Sequence, residues 1–308
     1  MSPGDDRADP SDNRATDPAE RRAVDALEAL GNEQRLAILF ALADRERETR
    51  TNRLELSFTD LYEAVDIGST SQFSYHLSRL VGPFVAETDG GYCLTYAGEK
   101  IARAIRSGVY ESTAEFDPIT VDGTCLACEE QALEALLRDE RFVVRCRACE
   151  ATLLSDSFPR SQAVDRTPAE VVASFGYRIW SSALLVHGDV CPECYGRIDR
   201  RVDHHESVSA HTFAAVCREC SFTVHLPVEV PVVFHPTAAT FLDRHGTPLP
   251  ETPLWELFGL FGSGSWTTEV RSTEPLDARV RIDLGGESLA LTLDESFTAA
   301  VADTDDAR

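Results

Sequence analysis

The sequence predicts an α+β chain with a helical N-terminal third, a cysteine-rich middle and a small β-rich C-terminal segment. Three observations carry this. Apolar residues recur at helical spacing between positions 24 and 109, four C-x2-C pairs lie beyond position 120, and residues 279–293 alternate apolar and polar around a Gly-Gly pair. A length of 308 residues leaves room for two or more domains, and 43% hydrophobic with 26% charged residues fits a folded chain.

Residues 1–19 hold no large apolar side chain after Met1 and are rich in Asp and Pro, the composition of a disordered acidic tail. From Glu20, Val24, Leu27 and Leu30 set a helical period. Gly31–Asn32 interrupts it and Leu36, Leu39, Phe40 and Ala43 resume it, so two helices break at a glycine. The charged run 45–53 reads as a solvated connector. Ser57 can cap a helix reaching Val65, with Asp60 three residues on. After the break at Ile67–Gly68–Ser69, a helix over 70–81 carries Phe73, Leu77, Leu80 and Val81 on one face. Residues 84–95 alternate about Asp89–Gly90–Gly91, a hairpin signal, and 96–109 form a helix with Ile101, Ala104, Ile105 and Val109 aligned. Three helices, a three-residue break, a helix, a hairpin and a helix follow the order of a winged helix-turn-helix, here over 20–112.

The cysteine pairs occupy 120–228. Between the second and third pairs, Thr167-x-x-Glu170 with Pro168 predicts a capped helix running to about Leu185. Residues 229–308 read as a C-terminal helix plus β-hairpin segment. They hold a helical stretch near 238–244, an apolar run over 255–261, and strands over 279–284 and 289–293 joined by Gly285–Gly286.

The pairs are Cys125/Cys128, Cys146/Cys149, Cys191/Cys194 and Cys217/Cys220, spaced C-x2-C-x17-C-x2-C and C-x2-C-x22-C-x2-C. Two cysteines two residues apart can chelate one ion from a tight turn, and a hairpin returns a second pair to complete a tetrahedron. Four thiolates select zinc over magnesium or calcium. Loop lengths favour sequential pairing, giving two zinc-ribbon-like modules with one Zn2+ each. Four cysteine ligands leave no open position for water, so the expected role is structural. An iron–sulfur site would want different spacing, and a dithiol redox switch would sit better in a βαβ setting.

The net charge is −23, with 29 basic and 52 acidic residues, and Lys100 is the only lysine. This balance fits a proteome adapted to concentrated salt, where carboxylates hydrate the surface and screening makes self-repulsion tolerable. Summed over the molecule it repels phosphate. Along the chain it is uneven: −3 over 1–19, −3 over 20–110 and −17 over 111–308. No stretch approaches the ~18 apolar residues of a membrane span, and the acidic N-terminus has no apolar segment behind it, so no membrane contact and a cytoplasmic location with reduced thiols are expected.

The window Gly68–Ala86 holds no Asp or Glu, although the chain averages about one acid in six residues. If Phe73, Leu77, Leu80 and Val81 face the core, Gln72, Tyr75, His76 and Arg79 share the opposite stripe. Gln pairs with adenine and Arg with guanine or phosphate, while Ser69, Thr70, Ser71 and Ser74 stand where they can bond phosphate oxygens near the helix N-terminus. Those eight residues are the expected contacts to double-stranded DNA. Arg45, Arg47, Arg50 and Arg53 before this helix, and Lys100, Arg103 and Arg106 after the hairpin, add basic stripes.

No enzyme signature holds. In the stretch 204–211, Ser209 stands where the second histidine of H-E-x-x-H belongs, Pro192 follows Cys191 where a deaminase needs it to precede, and no phosphate-binding or nucleophile-elbow motif occurs. The segments ALGNEQRLAILFAL (29–42), FSYHLSRL (73–80) and GYCLTYAGEK (91–100) resemble ArsR-type winged-helix regulators, in particular haloarchaeal ones with a cysteine-rich C-terminal half. The resemblance covers residues 20–110. It implies a homodimeric, non-enzymatic transcriptional regulator with the 70–81 helix in the major groove and the 84–95 hairpin as its wing. Metal-sensing members carry a cysteine pair in or beside the helix-turn-helix, where this chain has only Cys93, in the wing. The cysteine-rich half is then available for a partner, an effector or a second copy; a zinc-ribbon interaction module or a thiolate-based redox or metal sensor is the alternative.

Overall fold

The computed structural model describes residues 18–302 except 52, 114, 206–209, 250 and 263. The expected tail over 1–19 thus lies outside the described residues as far as 17, and Pro18 already opens a helix. Residues 206–209 of the stretch 204–211 also lie outside them. Contacts divide the chain into two units, Met1–Tyr110 and Glu111–Arg308.

The first unit runs α1 (Pro18–Leu30), α2 (Glu33–Thr49), α3 (Phe58–Glu63), α4 (Thr70–Leu80), β1 (Val85–Thr88), β2 (Gly91–Leu94) and α5 (Tyr96–Arg106). Polar side chains start four of the helices. Asn32, Ser57, Ser69 and Thr95 accept the backbone N–H groups of Arg35, Asp60, Gln72 and Gly98, satisfying donors that the first helical turn leaves unpaired. Ile38, Leu39, Leu42, Leu61, Phe73 and Leu80 form the buried centre. Phe58 and Tyr62 meet the edge of the Phe73 ring at 4.9 and 5.3 Å.

The antiparallel β1–β2 hairpin is tied back to the entry of α3 by a bridge in which the N–H of Leu56 donates to Tyr92 and that of Tyr92 to Leu56, at 2.9 and 2.8 Å. Gly91 makes this approach possible: its φ is +133°, and a Cβ there would stand 2.1 Å from the Leu56 carbonyl oxygen. Three expected core residues are exposed. Val24 and Leu27 are 51% and 64% accessible, and Val109, at 63%, lies beyond the end of α5 at Arg106.

Among its described residues the second unit holds three antiparallel sheets. β3 (Phe116–Thr120), β4 (Leu133–Arg138), β5 (Arg141–Cys146) and β6 (Thr152–Ser157) pair in that order. α6 (Pro168–His187) follows, opening with the capping box between Thr167 and Glu170 that the sequence signals. β7 (Ile198–His205), β8 (Ala210–Cys217) and β9 (Thr223–Pro227) make the second sheet.

Beyond residue 229 the expected helix and hairpin are larger than the sequence reading has them. α7 (Val230–Val233), α8 (Pro236–Arg244) and α9 (Leu254–Gly262) precede a four-stranded meander of β10 (Trp266–Thr273), β11 (Leu276–Leu284), β12 (Glu287–Leu293) and β13 (Ala299–Val301). Its inward residues Ala278, Val280, Ile282, Leu291 and Leu293 join one core with Phe142, Phe175 and Trp255. Phe142 and Phe175 stack at 4.0 Å, and the Trp180 Nε1–H donates to the Thr252 carbonyl at 2.8 Å.

Among the described residues, β6 and β9 each pair along one side only. At the open side of β6 the Ser157 carbonyl accepts from Arg178 Nη1 at 2.6 Å. On β9 the outward-turned residue 227 is proline, which has no N–H to offer.

Candidate metal centres and candidate nucleic-acid interface

Each C-x2-C pair forms the same small turn. The N–H of the first cysteine donates to the carbonyl five residues on: Cys125 to Glu130 at 3.0 Å, Cys146 to Ala151 at 2.8 Å, Cys191 to Gly196 at 2.9 Å and Cys217 to Phe222 at 2.8 Å. The residue after the second cysteine is left-handed in all four, with φ of 60° at Glu129, 62° at Glu150, 62° at Tyr195 and 60° at Ser221. This bend lets backbone N–H groups point at sulfur. Ala127, Ala148, Gly196 and Glu219 donate to the Sγ of Cys125, Cys146, Cys194 and Cys217, each at 3.4 Å.

The hairpins then join the turns in sequential pairs. β4–β5 brings Cys125, Cys128, Cys146 and Cys149 together, and β7–β8 does the same for Cys191, Cys194, Cys217 and Cys220, with all four sulfurs of each set within 4.8 Å of one another. The closest separations are 3.7 Å for Cys125–Cys149, 3.6 Å for Cys128–Cys146, 3.7 Å for Cys191–Cys220 and 3.5 Å for Cys194–Cys217. Sulfurs ~2.3 Å from one zinc ion stand about 3.8 Å apart along a tetrahedron edge, whereas a disulfide brings them to ~2.05 Å. The donor set and its spacing fit two structural Zn2+ sites, and no thiol outside the sets is needed.

The thiols are not equivalent. The N–H of Cys220 leads the interactions that lower the Cys217 thiol to about 7. Burial pushes Cys146 up, but the N–H groups of Cys149 and Ala148 outweigh it and bring this thiol also to about 7. Cys128 and Cys194 are held near 12: the N–H groups of Glu130 and Gly196 lower them, and hydrogen bonds shared with neighbouring cysteine sulfurs, with desolvation, raise them further. Each module thus has one sulfur ready to deprotonate first, and a cation must draw the remaining protons off.

A buried cation sets the second module against α6. Arg200 Nη2 donates to the carbonyls of Val186 and His187 at 2.7 and 2.8 Å and pairs with Asp189 at 2.6 Å, closing the helix C-terminus beside the Cys191 turn. Sequence reading misses this arginine, because nothing in its strand pattern separates it from Arg201.

On α4 the structure exposes Thr70, Ser71, Gln72, Ser74, Tyr75 and Arg79 on one unit surface, while Ser69 is half-buried with its hydroxyl accepting from Gln72 N–H at 3.3 Å. His76 corrects the expected stripe. At ~100° per residue it sits only about 60° from Phe73 around the axis, against about 120° for Arg79, and its ring is buried. Its Nδ1 has no partner among the described residues. Burial, and then the Arg35 charge, lower the His76 pKa, so the ring is neutral.

The flanking basic stripes are largely neutralised in place. Arg45 pairs with Glu48, Arg47 and Arg106 with Asp44, and Arg103 with Glu99. Among the described residues Arg79 has no carboxylate partner.

Comparison with known families then places the chain. The family described as Domain of unknown function (DUF7351) matches residues 122–299, more than half of the chain. The chain belongs to the DUF7351 family. The DUF7351 match spans both cysteine modules, α6 and the C-terminal meander, and a second family, Domain of unknown function (DUF7347), matches residues 23–105. No curated protein and no solved structure matches the chain. Among the described residues, no helix is long and apolar enough to cross a membrane.

Proposed function

We propose that the chain is a DNA-binding transcriptional regulator, with no catalytic role, in which α2–α5 and the β1–β2 wing act as an ArsR-type winged helix-turn-helix. The zinc-held DUF7351 unit would carry contacts to a protein partner, an effector or a second copy. One observation carries the reading: in a chain of charge −23, the exposed side of α4 lies in the acid-free window Gly68–Ala86 and presents Arg79 with no carboxylate partner among the described residues. Phosphate can approach there without meeting a carboxylate on the same helix. Exposed Val24, Leu27, Val109 and Tyr110 offer apolar surface for a homodimer contact in the same unit.

Fluorescence anisotropy with selected duplex DNA tests this. Binding should weaken as salt rises, and Arg79→Ala or Gln72→Ala should each cost about 1–3 kcal/mol with relaxed sequence preference if they read base edges.

A second reading, a zinc-ribbon interaction module without DNA contact, is favoured by α6. Its outer residues Ala173, Tyr177, Ser181 and Leu184 are exposed and uncharged. If no duplex is bound at any ionic strength where the chain stays folded, this second reading replaces the first.

A further inference from the structure

The two cysteine modules share a backbone design but differ in what covers them. In the first, Cys125 and Cys146 are buried, Cys128 is half-buried and Cys149 alone is exposed; in the second, Cys194 and Cys220 are both exposed. Helix α9 also lies directly on the first turn. At Gly259 a Cβ would stand 2.7 Å from the Thr124 carbonyl oxygen, and at Gly262 one would stand 3.2 Å from Leu126 Cδ2, so a Gly-x-x-Gly face seats the helix on residues 124–126.

We propose that the second module is a thiol-oxidation site for hydroperoxides, at which Cys194 reacts first and Cys217 resolves it, while the first module is a permanent clamp. The proposal rests on the thiolate sets holding metal. With metal bound every sulfur of the set is a thiolate, so access decides which reacts: Cys194 is exposed, and its sulfur stands 3.5 Å from that of buried Cys217.

The Cys194 thiolate attacks the terminal oxygen of the hydroperoxide: an S–O bond forms, the O–O bond breaks, and alkoxide leaves, or hydroxide where the oxidant is hydrogen peroxide. The Cys217 thiolate then attacks the Cys194 sulfenic acid: an S–S bond forms, the S–O bond breaks and hydroxide leaves. The two sulfurs lose two electrons and the peroxide gains them. Residues 191–220 can then no longer offer four thiolates, and their site opens. In the first module the corresponding partly covered sulfur, Cys128, sits in the turn that begins under α9, where access and movement are both restricted.

The test uses the full chain loaded with zinc. Zinc is counted before oxidant is added, which reports on the metal reading by itself; hydrogen peroxide is then added in steps. A chromophoric chelator follows zinc release, and differential alkylation with mass spectrometry maps the oxidised cysteines. The expected result is one ion released about tenfold faster than the other, with a Cys194–Cys217 disulfide appearing in the same phase. Cys194→Ser should remove the disulfide, and Cys149→Ser should leave the fast phase of the second module intact. Release of both ions at one rate, earlier oxidation of Cys149 or Cys128, or no release at all would overturn the proposal. The wild-type map decides the matter even if Cys194→Ser fails to fold.

Discussion

His76 shows how one side chain can sit on the border between an exposed helix face and a core. The ring is buried, with the Tyr75 ring edge-on at 5.2 Å, and its Nδ1 goes without a hydrogen bond among the described residues. Because burial lowers the folded-state pKa below the ~6.5 of an unfolded histidine, the unfolded chain binds the proton more tightly. The stability that the neutral ring permits is therefore complete above ~6.5 and is lost as pH falls towards the folded value. His76→Leu should flatten this acid dependence and, by removing an unsatisfied buried nitrogen, stabilise the first unit by about 1 kcal/mol at neutral pH. Urea unfolding followed by circular dichroism between pH 5 and 8 checks both. The helix itself was legible from Phe73, Leu77 and Leu80. Histidine's side of it was not, because Gln72, Tyr75, His76 and Arg79 also fit a helical stripe, and hydropathy alone does not say which side of the border an imidazole takes.

At the scale of elements, the cysteine turns are the most sequence-determined part of the chain. The C-x2-C spacing fixes the chelating bend, and the two hairpins that return the second pairs follow from it. The strand β4, with the composition LEALLR, reads locally as a helix former and is extended because Leu133–Arg138 pairs residue by residue with Arg141–Cys146. The edge strands β3, β6, β9 and β13 run to only three to six residues, and although each pairs with the strand next to it in the chain, so short a stretch builds up no alternation that announces it. The two glycines of α9 lie inside an apolar run where Gly would normally weaken a helix, a conflict that marks a close approach without naming what approaches. Gly259→Ala places a methyl group against Thr124 backbone and should cost about 1–3 kcal/mol in the second unit. Gly262→Ala, facing the movable end of Leu126, should cost less. Trp180, Trp255 and Trp266 all lie in that unit, so tryptophan fluorescence during urea unfolding of the zinc-loaded chain reads it directly.

For the whole molecule, the two units should part company when metal is withdrawn. The first cysteine of every pair, Cys125, Cys146, Cys191 and Cys217, belongs to the shared core of the second unit, and without metal the four sulfurs of each set lack the cation that gathers them. A strong zinc chelator should therefore shift the tryptophan emission to the red while helical circular dichroism from α1–α5 persists. Loss of both signals together would mean that the first unit draws its stability from the second.

The blocked outer sides of β6 and β9 matter most in the solvent that the composition suggests. In 1 M salt the Debye length is only ~3 Å, and a charge of −23 ceases to hold copies of the chain apart. What remains is stereochemical. An incoming strand finds the Ser157 carbonyl already taken by Arg178 and no hydrogen at Pro227, so one edge of each of these two sheets is obstructed at a fixed position that no ion atmosphere can screen.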